Sequence, residues 1–197
     1  MFTGIIEALS VVKSISRNGE NLEIGLACPF AKELKVDQSI AHNGVCLTVT
    51  EITDDVYFVT AIQETLSRTN LGLLQVGDLV NVERCLSMNG RIDGHLVQGH
   101  VDTIAICNHV GVMDGSWIFE FGYEKGAGRI TVEKGSICVN GVSLTVVDSN
   151  ESSFSVAIIP YTFEHTNFNK IVMGSKVNLE FDILGKYVEK ILASRGL

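Results

Sequence analysis

Short runs rich in Val, Ile, Thr and Phe recur along the chain, with turn residues between them. In the first half they are Ile5 to Val12, Leu22 to Ala27, Val45 to Ile52, Val56 to Ala61 and Leu79 to Val82. In the second half they are Val101 to His109, Trp117 to Phe121, Val142 to Asp148, Phe154 to Ile158 and Lys176 to Phe181. Asn18-Gly19, Asp54-Asp55 and Asn150-Glu151 punctuate them. Such runs read as strands, and this many at close spacing predict a closed barrel or a sandwich in each half. Helix is scarce. Pro29 to Leu34 predicts a short helix, with Pro29 near its first turn, and Gln63 to Leu71 and Tyr161 to Phe168 predict equivalent short ones.

The pattern repeats residue by residue. Asn43-Gly44-Val45-Cys46-Leu47-Thr48-Val49 returns as Asn140-Gly141-Val142-Ser143-Leu144-Thr145-Val146. At the same offset Thr65, Thr69, Asn70, Gly77, Val80, Asn81 and Glu83 return as Thr162, Thr166, Asn167, Gly174, Val177, Asn178 and Glu180. Thr3-Gly4-Ile5-Ile6-Glu7 also resembles Gln98-Gly99-His100-Val101-Asp102. A period of about 97 residues is too long for a solenoid unit and long enough for a small domain, so the chain reads as a tandem duplication. The expected divisions are 1–93 and 94–184, with a link over Cys85 to Asp93 where Ser87-Met88-Asn89-Gly90 breaks the strand pattern. Asn43-Gly44 and Asn140-Gly141 taken alone are turn pairs leading into strands.

The tail, 185–197, has no counterpart in the first half. Helical spacing puts Val188, Ile191 and Leu192 on one face, with Leu184 beside them. A lone helix this short is not stable in water, so it must dock on its own domains or on another subunit; the pattern favours the subunit.

Composition narrows the field. The chain is 46% hydrophobic with a net charge of -8. It can bury a substantial core, and it lacks the Lys/Arg clusters that phosphate backbones require, which argues against nucleic acid. No apolar run is long enough to span a bilayer and the N-terminus lacks a signal-peptide pattern, so no membrane partner is expected and the cytoplasm is the expected location. Cys28, Cys46, Cys85, Cys107 and Cys138 are odd in number and scattered, against a disulfide framework or a zinc site; all but Cys46 read as small buried hydrophobes.

The two halves differ at polar positions: Cys46 aligns with Ser143, Ile5 with His100, Arg68 with His165 and Gln63 with Pro160. Related pockets with different polar groups suit two bound molecules with different fates. His95 and His100 sit in a dense polar cluster, yet strand alternation would turn them apart, so a shared metal lacks a third ligand. Phosphate-loop, dinucleotide and serine-hydrolase motifs are absent.

Met1 to Glu7, the two Asn-Gly-Val-[Cys/Ser]-Leu-Thr-Val segments and Gly94-His95 through Asp102 together resemble the riboflavin synthases of the trimeric α-chain type, across essentially the whole chain. The resemblance implies an all-β fold of two similar six-stranded Greek-key β-barrels in tandem plus a C-terminal α-helix. It implies a homotrimer joined through that helix. The implied reaction is a dismutation of two 6,7-dimethyl-8-ribityllumazine molecules into riboflavin and a pyrimidinedione, with no cofactor or metal. The site would lie between the first barrel of one subunit and the second barrel of its neighbour. Association with a lumazine synthase capsid is left open.

Carried over by position, the resemblance implies a first pocket of Gly4, Ile5 and Ile6, then Cys46, Leu47 and Thr48, then Thr60, Ala61, Ile62, Gln63, Glu64 and Thr65. The implied second pocket holds Gly99, His100 and Val101, then Lys134, Ser143, Leu144 and Thr145, then Ala157, Ile158, Ile159, Pro160, Tyr161 and Thr162. The chemistry is expected from His100 as proton acceptor or relay, from Cys46, Ser143 and Thr145 positioning or adding to the rings, and from the carboxylate Asp182. Asn140 stands where some members carry Asp, and an amide cannot serve as a base near neutral pH, so it is expected to be structural or orienting. Two rivals remain: a non-catalytic lumazine-binding protein of the same fold, and a flavin-dependent reductase domain that shares only the barrel style.

Overall fold

Both residues of Asn43-Gly44 and of Asn140-Gly141 adopt positive φ (46° and 80°, 47° and 83°), the geometry of a tight two-residue hairpin. Each turn joins a short strand to a longer one, β3 (Ser39–His42) to β4 (Val45–Thr53) and β9 (Ser136–Val139) to β10 (Val142–Ser149). The structure is a computed structural model that describes residues 1–196. The remaining strands of the first half are β1 (Ala8–Asn18), β2 (Asn21–Ala27), β5 (Val56–Ala61) and β6 (Leu79–Arg84). Those of the second are β7 (Thr103–Met113), β8 (Ser116–Tyr123), β11 (Ser153–Ile158) and β12 (Lys176–Phe181). All pairings are antiparallel, and each half closes into a six-stranded barrel of the same order, β1-β2-β5-β4-β3-β6 and β7-β8-β11-β10-β9-β12.

The strands expected at Val56 to Ala61 and Lys176 to Phe181 have those bounds, while others shift. The first strand begins at Ala8 rather than Ile5, and β7 begins at Thr103 rather than Val101, because the residues before them leave the sheet for the other barrel. β3 and β9 escaped the pattern, being only four residues long. The helix expected over Pro29 to Leu34 shrinks to a single 3₁₀ turn at Ala31–Glu33. The segments after β5 and β11 form α1 (Gln63–Arg68) and α2 (Pro160–His165), each followed by a 3₁₀ turn. Of the cysteines, Cys107 and Cys138 are buried, but Cys85 is exposed, contrary to its reading as a buried hydrophobe.

Inward-facing apolar side chains fill each barrel. Val12, Ile24, Val49, Val59 and Val80 pack the first; Phe119, Phe121, Val146, Phe154 and Phe168 pack the second. Each such side chain contributes about 1.5–3 kcal/mol by leaving water.

Between the barrels the contact is polar and nearly two-fold symmetric. Asn43 Oδ1 accepts from Asn81 N at 2.9 Å and from Asn167 Nδ2 at 3.0 Å. Its counterpart Asn140 Oδ1 accepts from Asn178 N at 2.9 Å and from Asn70 Nδ2 at 3.1 Å. Asn81 and Asn178 each donate across the interface to the backbone carbonyl of the opposite turn, Asn140 and Asn43, at 2.9 Å. The turns sit back to back: a Cβ on Gly44 would come within 2.9 Å of Gly141 N, and the reverse contact would be 2.8 Å. The repeated asparagines therefore hold the barrels together, and Asn140 is a structural residue in this lattice.

The C-terminal helix α3 (Ile183–Ser194) is capped by Asp182, whose carboxylate accepts from Leu184 N at 3.0 Å. Lys186 anchors the helix to Asp102 at 2.6 Å. Residue 197, the last of the expected tail, lies outside the described residues.

Candidate functional site

Two buried glutamates decide where the site residues go. Glu83, near the end of β6, accepts from Thr3 N at 2.6 Å, Thr3 Oγ1 at 2.7 Å and Gly4 N at 2.9 Å. Glu180 on β12 accepts from the backbone N–H groups of Gln98, Gly99 and His100 at 2.6, 2.9 and 2.8 Å. Burial raises both carboxyl pKa values, and the surrounding backbone donors oppose the shift. Each glutamate thus clamps a segment that turns on a glycine at positive φ, Gly4 at 76° and Gly99 at 82°. Neither glycine tolerates a side chain. A Cβ on Gly4 would lie 2.6 Å from Ser143 Cβ, and one on Gly99 would lie 2.6 Å from Cys46 Cβ.

These contacts exchange the segments between the halves. Gly4 O accepts from Ser143 N at 2.8 Å, and Ile6 packs on the second barrel's core. Gly99 O accepts from Cys46 N at 2.9 Å, and Val101 packs on the first barrel's core. The expected grouping of Gly4 to Ile6 with Cys46, and of Gly99 to Val101 with Ser143, is therefore reversed. Phe2 and Val97 pair where the segments cross, with Phe2 N donating to Val97 O at 2.7 Å.

The first barrel's mouth holds a pocket of about 230 Å³ lined by Cys46, Glu64, Thr65, Arg68, Gly99 and His100, among others. Burial pushes the Cys46 thiol pKa up, with a hydrogen bond from Ser39 opposing, so the group stays a thiol near neutral pH. The i,i+4 pair Glu64 and Arg68 lies at 3.5 Å on the rim. Leu47 and Ala61 point into the core, Thr48 is exposed, Thr60 is half-buried, and Ile62 and Gln63 are exposed where β5 passes into α1.

At the second barrel, Ser143 lies on β10 with its hydroxyl 2.6 Å from Nδ1 of His95. Burial lowers the His95 pKa, and the charge of Asp182 opposes that shift. His95 is therefore a neutral imidazole near pH 7, able to accept the Ser143 proton. Gly94 makes this approach; a Cβ there would meet Thr3 O at 2.1 Å and Ser143 Cβ at 2.8 Å. Leu144 leans on the core, Thr145 and Ala157 are exposed, Ile158 is buried, and Ile159, Pro160 and Tyr161 are exposed ahead of half-buried Thr162. Lys134 is exposed, with positive φ and its N–H bonded to Val146 O at 2.9 Å.

His95 and His100 thus serve different barrels. The bond from His95 to Ser143 was not legible in the sequence, nor was the lining role of Arg68. A wider groove of about 550 Å³ lies over the asparagine lattice, and none of the expected site residues line it.

The model of the lumazine binding domain matches this chain twice, over residues 3–85 and 98–182. Riboflavin synthase of Actinobacillus pleuropneumoniae is 40% identical over 99% of this chain and 91% of its own length. That of Bacillus subtilis is 37% identical over 98% and 90%, and that of Mycobacterium tuberculosis 37% over the full length of both. Among solved structures, LumP complexed with riboflavin superposes with a TM-score of 0.84 at 24% identity, covering 92% of this chain and 99% of that one. LumP complexed with 6,7-dimethyl-8-(1'-D-ribityl) lumazine gives 0.83 at 22%, covering 91% and 98%.

Proposed function

The chain belongs to the riboflavin synthase family, whose lumazine binding domain it carries twice, and on that premise we propose how its residues do the work. The function is the dismutation of two 6,7-dimethyl-8-ribityllumazine molecules. One transfers a four-carbon unit to the other, giving riboflavin and 5-amino-6-(D-ribitylamino)uracil. The two products together contain the atoms of the two substrates, so the reaction needs no outside oxidant or co-substrate. A non-catalytic lumazine carrier is not favoured, because the synthases named above are 37–40% identical over the whole chain, whereas LumP shares the fold at only 22–24% identity.

One observation carries the division of labour: equivalent positions of two similar barrels hold chemically different pairs, Cys46 facing the Gly99-His100 segment and Ser143 bonded to His95. A proton must leave the C7 methyl of one lumazine, and a nucleophile must add to C7 of the other. His100 supplies an imidazole, the commonest general base, and takes the proton. Cys46, held as a thiol, positions the ring by donating a hydrogen bond. Ser143, its proton drawn toward neutral His95, adds to the second ring or relays a proton, and Asp182 stabilises the imidazolium that forms. Thr48, Thr145 and Lys134 offer donors for the ribityl chains and ring carbonyls. Holding two substrates side by side removes much of the entropic part of a bimolecular barrier.

At about 230 Å³ the first pocket is smaller than the ~300–1,000 Å³ common for small-molecule sites. A second chain completes it. Leu184, Tyr187 and Val188 on α3 are 66%, 65% and 56% exposed. These residues join the subunits of a homotrimer, bringing the first barrel of one against the second barrel of the next. Deletion from Lys186 onward is expected to give poorly active monomers on a sizing column. We further propose that this transferase acts in the cytoplasm and associates with a lumazine synthase, which co-purification of the two would test.

The direct test is incubation with 6,7-dimethyl-8-ribityllumazine alone. Riboflavin and the pyrimidinedione should appear in equal amounts; bound but unconverted lumazine would make the protein a carrier.

A further inference from the structure

The second barrel takes from α3 a cation that the first barrel carries on its own strand. Glu7 and Asp102 occupy equivalent places just ahead of β1 and β7. Glu7 N donates to Val82 O at 3.0 Å, and Asp102 N donates to Leu179 O at 2.8 Å. Each carboxylate then accepts from the same strand's backbone: Glu7 Oε1 from Arg84 N at 2.7 Å, Asp102 Oδ2 from Phe181 N at 2.9 Å. Positions 84 and 181 are repeat equivalents, but their side chains part company. The Arg84 guanidinium turns back on Glu7 at 2.6 Å, whereas Phe181 is buried in the second core. Asp102 meets Lys186 Nζ instead, at 2.6 Å, on a helix that has no counterpart in the first half. The pair is sheltered, its side chains 21% and 24% exposed. Arg129, also nearby, donates to the Asp102 backbone carbonyl at 3.5 Å and pairs with Glu124.

Asp102 ends the segment that Glu180 clamps. Gln98, Gly99 and His100 donate to Glu180, and two residues on Asp102 ties the segment to β12 and, through Lys186, to α3. Burial raises the Glu180 pKa, the backbone donors and then Lys186 oppose that shift, and the Asp102 charge adds to it. Removing Lys186 therefore leaves two neighbouring carboxylates without the cation that balances them.

We propose that Lys186 is a positioning residue: through Asp102 it fixes the 98–102 segment, so that docking of α3 sets the place of His100 in the first barrel's pocket. The clamp on the other segment, completed by Arg84, needs no helix. α3 thereby acts on the site as well as on the subunit contact proposed above. A catalytic group displaced by about 1 Å can lose about 100-fold in rate, so a tether outside the pocket is enough to matter. The proposal rests on the role given to His100 above.

Lys186→Met keeps the aliphatic stem and removes the charge. In the full-length protein acting on 6,7-dimethyl-8-ribityllumazine it should lower kcat about tenfold or more, with KM within about twofold. The oligomer on a sizing column should be unchanged, and Lys186→Arg should restore turnover. Asp102→Asn leaves α3 untouched and keeps an acceptor for Phe181 N; it should show the same loss, whether or not the helix of Lys186→Met stays docked. Added to His100→Ala, Lys186→Met should cost little more, because it acts through His100. A salt bridge with only a structural role would lower the melting temperature and leave kcat of the folded oligomer intact. Wild-type kcat in folded Lys186→Met and Asp102→Asn would overturn the proposal, as would a loss that multiplies in full with that of His100→Ala. If the unaltered protein forms no riboflavin, the dismutase reading falls, and the His100 ring signals in NMR then decide the tether. They should shift in both variants, and unshifted signals would overturn it.

Discussion

The two barrels share strand order, turn geometry and the asparagine lattice, and they differ at their mouths. Identity between the repeats is concentrated in residues that hold the molecule together: Asn43/Asn140, Asn70/Asn167, Asn81/Asn178 and Glu83/Glu180, all buried. Difference is concentrated at the mouths: Cys46 against Ser143, Ile5 against His100, Glu64–Arg68 against Tyr161–His165. Within this duplicated chain the shared buried positions therefore mark architecture, and the proposed chemistry falls mainly on the divergent ones. A buried polar residue repeated unchanged is here a joint, not a catalyst.

The sharpest way to separate the two classes is to remove one member of each. His100→Ala and Ser143→Ala should each slow turnover by roughly 10²–10⁴-fold, the usual worth of a positioned acid–base group, while the melting temperature barely moves. Steady-state kinetics beside calorimetry would check this, and wild-type turnover in both variants would remove the site assignment.

Next come the clamps. Glu180→Ala leaves the N–H groups of Gln98, Gly99 and His100 without their acceptor, and Glu83→Ala does the same to Thr3 and Gly4. Hydrogen bonds to a charged group are worth about 1.5–3 kcal/mol each, and neighbouring bonds do not add fully, so a loss of about 3–5 kcal/mol is expected from denaturant melts. Because the segments cross, Glu180→Ala should disturb the Cys46 pocket and Glu83→Ala the Ser143 pocket. A Glu83→Ala variant altered only around Cys46, by NMR shifts, would contradict the exchange.

A smaller contrast lies in the cores. His42, 1% exposed, bonds to Tyr57 at 2.9 Å, where the second barrel has Val139 and Phe154. Burial pushes the His42 pKa down to about 4 from 6.5. The unfolded chain then binds the extra proton first, so stability falls as pH drops from 6.5 toward 4 and levels off below, by up to about 3 kcal/mol. His42→Val with Tyr57→Phe, which installs the second barrel's residues, should flatten that dependence. Melts between pH 7 and 4 that are equally steep in both proteins would show that another group is responsible.

Much of the fold was legible because side-chain chemistry alternates with barrel face. The strands missed, Ser39–His42 and Ser136–Val139, are too short to show a period. The far ends of β1 and β7 were missed because Lys13 to Asn18 and Val110 to Met113 run largely exposed past the core. The grouping of the expected site residues was not legible. Which segment lies against which strand depends on Glu83 and Glu180 reaching across about 80 residues of sequence, a contact that no local pattern records. The repeat itself held the clue, since both glutamates recur at the same offset as the asparagines.

The most direct test of the shared site is complementation. A variant carrying His100→Ala and Cys46→Ser would be co-expressed with one carrying Ser143→Ala, each nearly inactive alone. If the first barrel of one subunit works with the second barrel of its neighbour, random assembly leaves about a quarter of the sites with both halves intact, and activity should return to about that fraction of wild type. Mixed oligomers that stay as inactive as their parents would mean that each chain uses its own two barrels, and the intersubunit site would be wrong.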